Sequence, residues 1–507
     1  MTNKLAISNI QPKLKAGYDH VKNNFSNRSS CVFPFLLTDT NDLVIVFLNY
    51  WKIKNNLKRI TCNIRAHDES GVLVEFINFA LIENHYKISI KSIIKNNLIK
   101  KGIVNIEFIS PENMGFTFPA VTAFYTSNSN YSGVHTAGRI KNPEEKKIPG
   151  EIIETNWRCK WENGVTPFFS LFNGSIKSKS KVIKVTIYKP NKEIIISKEI
   201  NLSLIEPFSN KIIFIDELFN LQKYKIDNNS YIEVNIPFTD FFPRMVCGNF
   251  FRKEKFLEVT HSFENQEENP DYLDELDLEK TPDRIPSINP IAINKELELE
   301  LIFFPTNCKG KVIGSWRSGS KNKTLTKSDE IFEWISGGNS SELKKISIKS
   351  GDTIKALDIT KGKIPTRINT NYIYRVKDTK SQYSTDIAAG QITEYFPPKK
   401  FTWGHGIIGK GYKTVIFLTS FSHDEKCRIE SKGKLTLLVE DKVYEKNFTI
   451  PPDSGIEINL NDIIFNNYTS EEVYLISWYY VQEKKTKLMC YWISYTKDGK
   501  ITGDHAF

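Results

Sequence analysis

An internal repeat constrains this chain more than any other feature of its sequence. Residues 168–219 and 415–465 each read as an apolar strand, a polar loop, an alternating strand, a turn and a further strand, followed by a proline-bearing loop, a strand and a short helical turn. Within the first copy, Ile183, Val185 and Ile187 alternate with polar or smaller residues. Alternation of period two predicts strands with one buried and one solvated face. The repeat therefore predicts an all-β chain that contains several copies of one module.

The repeat divides the chain into four modules, arranged as a duplicated pair of pairs. The string YSGVHTAGR closes the first module and the related string YSTDIAAGQ closes the third, whereas VTHSF and GDHAF close the second and fourth. An acidic, proline-containing stretch separates the two pairs and predicts a solvated linker. The predicted segments are an N-terminal arm at 1–30, modules at 31–139, 155–263, 291–391 and 403–507, and the acidic linker at 264–290.

Module length and turn content indicate the fold class. Each module has roughly 100 residues, short strands and frequent turn residues, which is typical of two antiparallel sheets packed face to face. We predict an all-β fold of four tandem β-sandwich-like modules, arranged as a duplicated two-module unit. The pattern does not determine the order of strands within a module.

Cysteine usage and the distribution of apolar residues bear on the cellular compartment. The seven cysteines are an odd number, are widely spaced and contain no C-x-x-C pair. This pattern favours reduced thiols over a disulfide framework or a zinc ribbon. The first 25 residues contain no apolar core of the signal-peptide type, and no run reaches about 18 apolar residues. We therefore expect a cytoplasmic protein without transmembrane insertion.

The charge balance does not single out a nucleic-acid partner. The formal net charge is +10, and because residues 264–284 hold nine acids and two bases, the rest of the chain is more basic still. A basic surface could attract nucleic acid, anionic glycan or anionic lipid. Codon bias towards lysine, isoleucine and asparagine is the simpler explanation, and no aromatic–basic RNA-binding pattern is present. Nucleic acid is accordingly not a predicted partner.

One glycine-rich stretch is similar to a nucleotide-binding motif. Residues 404–411 read GHGIIGKG, which matches G-x-G-x-x-G and is one residue short of a P-loop. A P-loop needs a serine or threonine where Gly411 stands, and both motifs need a following helix. The residues after Gly411 have strand composition, so we predict a flexible linker here and no cofactor.

Three histidines recur at one place in the modules. His135, His261 and His505 each follow the last predicted strand of a module, and Ile387 stands there in the third. Neutral imidazoles at such tips could ligate a metal if the tips converged. Modules in series usually place equivalent residues far apart, so structural histidines bonded to the backbone are the favoured interpretation. Whether a metal binds remains open.

Two tryptophans also recur in the connections between modules. Trp157 precedes Phe169 by twelve residues, and Trp403 precedes Val415 by twelve. Such recurrence is typical of a shared structural role, most simply a large apolar plug. The alternative is a platform on which a sugar ring stacks.

Three functional hypotheses remain open at this point. The absence of a recognisable catalytic motif favours a non-enzymatic binding or scaffolding protein, which presents loops and inter-module clefts to a glycan, a glycoconjugate or a protein. The second hypothesis is an enzyme in which His135, His261 or His505 acts in a cleft between paired modules. The third is a structural subunit of a larger filament or viral assembly. The sequence does not determine whether the chain forms homo-oligomers.

Overall fold

The chain folds into two compact units, one within Leu14–Glu267 and the other within Glu268–Phe507. We refer to them as the first and the second unit. The computed structural model describes residues 26–507 except for positions 97, 116–118, 136–137, 141–151, 163, 179–180, 203–205, 225, 227, 237–240, 243, 265–271, 274–286, 306–310, 321–325, 336–339, 349–352, 366–368, 390–398, 421–427 and 465–470. Most of the predicted arm at 1–30 and of the linker at 264–290 therefore lies outside the described residues.

The first unit contains the first two modules. The strands of module one are β1 (Arg28–Leu36), β2 (Asn41–Leu48), β3 (Thr61–Asp68), β4 (Leu73–Ala80), β5 (His85–Ser89), β6 (Lys101–Ile109), β7 (Val121–Ser127) and β8 (Asn130–His135), followed by the short β9 (Arg139–Ile140). Those of module two are β10 (Ile152–Arg158), β11 (Val165–Phe172), β12 (Lys181–Tyr188), β13 (Ile194–Leu202), β14 (Asn210–Phe214), β15 (Tyr231–Ile236), β16 (Phe241–Phe242), β17 (Val246–Phe251), β18 (Phe256–His261) and β19 (Phe263–Glu264). Among the described residues of this unit, three short helices accompany them: α1 (Tyr50–Asn55), α2 (Ile90–Ile93) and α3 (Ile215–Leu218).

The second unit contains modules three and four. The strands of module three are β20 (Tyr272–Leu273), β21 (Ser287–Ile293), β22 (Leu297–Phe303), β23 (Lys311–Ser320), β24 (Thr326–Ile335), β25 (Lys344–Ile348), β26 (Thr353–Pro365), β27 (Thr370–Val376) and β28 (Thr385–Ala388). Those of module four are β29 (Lys399–Ile408), β30 (Lys413–Ser420), β31 (Ser431–Val439), β32 (Lys442–Ile450), β33 (Ser454–Asn459), β34 (Tyr474–Thr486), β35 (Leu488–Tyr495) and β36 (Ile501–His505). A 3-10 turn spans Asn461–Ile463.

All four modules have the same antiparallel topology. In module one the two sheets have the orders β1-β6-β3-β4 and β5-β2-β7-β8. The two-residue strands β9, β16, β19 and β20 are left out of the count, so that each module has eight main strands. In every module the first, sixth, third and fourth main strands form one sheet in that order. The fifth, second, seventh and eighth form the other. The predicted all-β architecture of repeated sandwich-like modules is confirmed. The strand order is information that the sequence pattern did not contain.

The alternating strands bury the faces that the sequence predicts. Ile183, Val185 and Ile187 on β12 are fully buried, whereas Lys184 between them is exposed. β12 lies inside its sheet, because it pairs with β13 on one side and with β15 on the other. Burial of alternate apolar side chains between two sheets supplies most of the driving force for this fold.

The two modules of a unit share an apolar core. In the first unit, Val32 and Ile103 of module one belong to the same buried cluster as Trp157 of module two. In the second unit, the ring of Tyr372 in module three lies 5.3 Å from that of Tyr491 in module four. Each pair of modules therefore packs as one body.

The eighth strands of paired modules also join through hydrogen bonds. In the first unit, the backbone N–H of Val259 on β18 donates to Ser132 Oγ on β8 over 2.8 Å. In the second unit, Thr385 Oγ1 on β28 donates to the Gly503 carbonyl on β36 over 3.1 Å. In each unit, these bonds join the eighth strand of one module to the eighth strand of the other.

The prediction of a flexible linker at 404–411 is wrong. Residues 404–408 belong to β29, whose last eight residues are buried and which pairs with β34 along its length. The glycines serve close packing, because a Cβ on Gly404 would lie 2.4 Å from Trp478 Cζ2. A tight turn with a Gly409–Tyr412 bridge then leads into β30, and no helix follows.

The short helical turns occur at the predicted places, and their N-terminal capping differs between modules. α3 and the 3-10 turn at Asn461–Ile463 occupy equivalent positions after the fifth strand, as does α2 in module one. Ser89 caps α2 by accepting from the Ser92 N–H. The residues that precede α3 and the 3-10 turn are Phe214 and Leu460, which make no side-chain cap bond.

A buried ion-pair network in module one predicts a pH-dependent stability. Glu107 on β6 is largely buried and pairs with the guanidinium groups of Arg28 and Arg65. Burial alone would raise the pKa of Glu107, but the two arginines outweigh it and hold that pKa below its usual value. The stability this carboxylate contributes is therefore present above its unfolded pKa, near 4.5, and is lost as the pH falls through the lower folded value.

We expect Glu107→Gln to destabilise module one by about 2 kcal/mol at neutral pH, because two partly buried cations lose their counter-charge. Hydrogen exchange of peptides from β1, β3 and β6 measures the change. The difference from the native protein should shrink below about pH 4. A difference that is constant with pH would contradict this role. Glu75→Gln, whose contact with Lys95 is 3.9 Å long, is the control and should change stability by less than about 0.5 kcal/mol.

The five described cysteines are all buried: Cys31, Cys62, Cys159, Cys247 and Cys490. Burial raises the thiol pKa of Cys31, Cys62 and Cys490, which suits apolar packing better than reactivity.

Within the part of the chain that the structure describes, no helix has the length and apolar character needed to cross a membrane.

Candidate functional site

Two of the three recurrent histidines meet in the first unit. His135 is the last residue of β8 and His261 is the last residue of β18, so both end a strand rather than follow one. Their rings contact edge to face, with centroids 4.6 Å apart and an interplanar angle of 88°. The expectation that equivalent positions lie far apart is wrong for this pair, because the eighth strands of paired modules pack against each other.

Strand pairing fixes the positions of both histidines. His135 stands opposite Thr122 in the β7–β8 ladder, and His261 stands opposite Val246 in the β17–β18 ladder. Both side chains are buried, with exposed fractions of 6% and 4%. The ring of Phe263 lies 5.9 Å from that of His261, so apolar surface borders the pair.

A backbone hydrogen bond determines the tautomer of His261. Its Nδ1 lies 2.9 Å from the carbonyl oxygen of Ser262. A carbonyl oxygen only accepts, so Nδ1 carries the proton and Nε2 carries the lone pair in the neutral ring. Nε2 of His261 is therefore the atom that can accept a proton or bind a metal.

His505 shows the same local arrangement in the second unit. Its Nδ1 lies 3.1 Å from the carbonyl oxygen of Ala506, the next residue in the chain. The repeat relation between the second and fourth modules thus extends to a hydrogen bond. In module three the corresponding position is Ile387, a buried residue of the core, beside Asp386.

Trp157 lies inside the core of module two. It is 1% exposed, pairs with Ile232 across the β10–β15 ladder, and lies 5.9 Å from Phe169 between ring centroids. The twelve-residue spacing noted in the sequence thus corresponds to a contact. A sugar platform needs an open ring face, and this burial favours the plug interpretation.

Trp403 occupies the equivalent first strand of module four. It is 6% exposed, and its ring stacks on that of Phe507 at 5.6 Å and 28°. The backbone N–H of Phe507 also donates to the Trp403 carbonyl over 3.0 Å. His405, two residues further along β29, is fully buried and lies 3.1 Å from Ser477 Oγ through its Nδ1. The two contacts between Trp403 and Phe507 hold the residues after β36 against module four.

A surface feature that the sequence pattern does not reveal also recurs in the modules. The fourth strand of each module (β4, β13, β24 and β32) is the last strand of its sheet among the described residues. Each carries at least one apolar side chain that is between 47% and 75% exposed: Leu73 and Phe76 on β4, Ile194 on β13, Ile331 on β24 and Val443 on β32. In the sequence these residues stand at strand positions that alternate with the more buried ones. Only the strand order identifies the four strands as sheet edges.

Among these four edge strands, β4 carries the most exposed apolar side chains in the described residues. Val72 and Ile82, which flank the strand in sequence, are also exposed, at 60% and 69%. The guanidinium of Arg65 lies 5.3 Å from the centre of the Phe76 ring, on the same sheet face. Exposed apolar edge strands are unusual in proteins that remain unpartnered, because such edges pair readily with other chains.

Comparison with known proteins adds no family to these observations. No family model matches the chain, and no curated protein matches it. The solved structure of native E. coli alpha-2-macroglobulin aligns with 92% of this chain and 28% of its own, at 6% identity and a TM-score of 0.10. This chain thus spans little more than a quarter of that protein, and a similarity at this level carries no argument about fold or function.

Proposed function

We propose that this chain is a non-enzymatic binding and scaffolding protein whose partner is another protein. The observation that carries the proposal is the repeated edge strand with exposed apolar side chains, present in all four modules. An extended peptide can add to such an edge as a further strand, where backbone hydrogen bonds give affinity and alternate side chains give specificity. Four modules would present four related edges.

The β4 edge is the strongest candidate for this role. Its exposed residues Leu73, Phe76 and Asn78 are separated by half-buried ones, and a bulge after Leu73 keeps the three in one row that is available to a partner. Charged residues, which commonly protect edges, are sparse on β4, whereas β32 carries Lys442 and Lys446. The partner segment we infer is extended, apolar at alternate positions and free of proline.

The cytoplasm is the compartment we propose for this interaction. The support comes from cysteine usage, since the seven cysteines are widely spaced and the five described ones are buried. Reduced thiols of this kind are typical of cytosolic proteins. A glycan or glycoconjugate is the other partner class that the sequence leaves open. A glycan array distinguishes a glycan partner from a protein partner.

The test begins with peptides selected from a display library of extended sequences on the full chain. Hydrogen exchange should show that a bound peptide protects β4 amides, and Leu73→Lys with Phe76→Lys should weaken its binding by roughly tenfold or more. Ile109→Lys is the matched control, because Ile109 is an exposed apolar residue on β6 within the same sheet. It should leave the affinity within about threefold.

Two results would overturn this proposal. One is protection that falls on loops instead of edge strands. The other is a glycan array in which the chain binds defined glycans with an affinity that the edge substitutions do not change.

A further inference from the structure

We propose that His135 and His261 form a binding site for a divalent transition metal of the zinc class. Their rings contact edge to face at 4.6 Å, and their candidate ligand nitrogens lie within 4.8 Å of one another. Two imidazole nitrogens on one tetrahedral zinc stand about 3.3 Å apart, given Zn–N bonds near 2.0–2.1 Å. The two nitrogens must therefore approach each other by up to about 1.5 Å when the metal binds.

The protonation pattern of His261 suits a metal ligand. Its Nδ1–H donates to the Ser262 carbonyl, so the lone pair is on Nε2. Metal-binding histidines characteristically donate their other N–H to a carbonyl or carboxylate, which fixes the ring and raises its basicity. The bond between His261 Nδ1 and the Ser262 carbonyl matches that pattern.

The surroundings provide a buried site on paired strands. Both histidines end paired strands, and the Ser132–Val259 hydrogen bond ties those strands together. Phe263 borders the pair with an apolar ring. A site on rigid elements with an apolar border holds its ligands close to the required geometry before the metal arrives. Water can complete the coordination of the metal, as in zinc sites with an open position.

A purely structural role for the histidines makes a different prediction, and His67 provides the comparison. His67 lies in the same unit, is buried, and makes the same kind of bond from Nδ1 to a carbonyl, that of Gly71 at 3.0 Å. Its ring stacks on Phe208 at 4.3 Å instead of on a second histidine. Any effect of substituting a buried, backbone-bonded histidine should therefore appear at His67 as well.

The experiment is a zinc titration of the chelator-treated full chain. We expect a high-affinity event that is lost, or weakened by roughly tenfold or more, in His135→Gln and in His261→Gln, while His67→Gln binds as the native protein does. Zinc should raise the melting temperature of the native protein and of His67→Gln but not of the two pair variants. Circular dichroism without metal checks that each variant is folded.

X-ray absorption of the zinc-loaded native protein gives a readout that does not depend on any variant. At least two imidazole ligands per bound zinc are expected. Fewer than two, a zinc affinity equal in all variants, or no zinc binding by the native protein would each overturn the site. None of these outcomes bears on the edge-strand proposal, which rests on different residues.

Discussion

Replacing Gly248 with alanine is expected to destabilise the β17–β18 hairpin by about 4 kcal/mol. Gly248 has φ of +148°, a conformation that L-residues rarely adopt, and an added Cβ would lie 2.0 Å from the Glu258 carbonyl oxygen. The neighbouring atoms are backbone, so they cannot move aside without breaking the ladder. Because Val259, the register partner of Gly248, bonds to Ser132, we expect the loss to spread to β8.

Hydrogen exchange of peptides from β8, β17 and β18 measures this effect directly, and it suits a chain of several modules that need not unfold in one step. Gly164→Ala is the control. Gly164 also has a positive φ, +82°, but a Cβ there would meet no atom within 4 Å. It should cost only about 1 kcal/mol. Equal effects at the two glycines would show that the close approach to Glu258 is unimportant.

Gly404→Ala should destabilise module four by about 3 kcal/mol, because an added methyl group would overlap the indole of Trp478. The Cβ would lie 2.4 Å from Trp478 Cζ2, and the indole is fully buried and held by a 2.9 Å bond from its Nε1 to the His405 carbonyl. Exchange of β29 and β34 amides is the measurement.

The sequence offers a matched control within the same glycine-rich stretch. Gly411 has φ of +80° and open space around it, so Gly411→Ala should cost about 1 kcal/mol. Combining Gly404→Ala with Trp478→Phe should cost less than the sum of the two single changes, since the smaller ring makes room for the methyl group. Strict additivity would exclude the contact as the cause. A flexible linker at this place would tolerate all three substitutions.

The repeat was a sufficient guide to the fold because its signal is local. Alternation at Ile183, Val185 and Ile187 reports which face of a strand is buried, and that depends only on the pleat. Strand order is different: β6 pairs with β1 and β3, which are distant in sequence, and period two contains no information about which strands meet. Edges could therefore not be distinguished from central strands.

Two errors in the site have specific physical causes. The glycine-rich pattern predicts flexibility at Gly404 and Gly406, whereas each makes room for a neighbouring side chain, that of Trp478 or of Thr414. An end-to-end arrangement of modules predicts that His135 and His261 lie far apart. Residue patterns cannot show that paired modules pack through their eighth strands, and that packing alone brings the two rings together.

The shared core within each unit has a consequence for how this chain can be divided. A module cut out alone would expose the face that its neighbour now covers, including Val32 and Ile103 in module one or Tyr372 in module three. Its eighth strand would lose the flanking strand that now shields it. The smallest fragment that keeps its own apolar interior covered is thus a pair of modules.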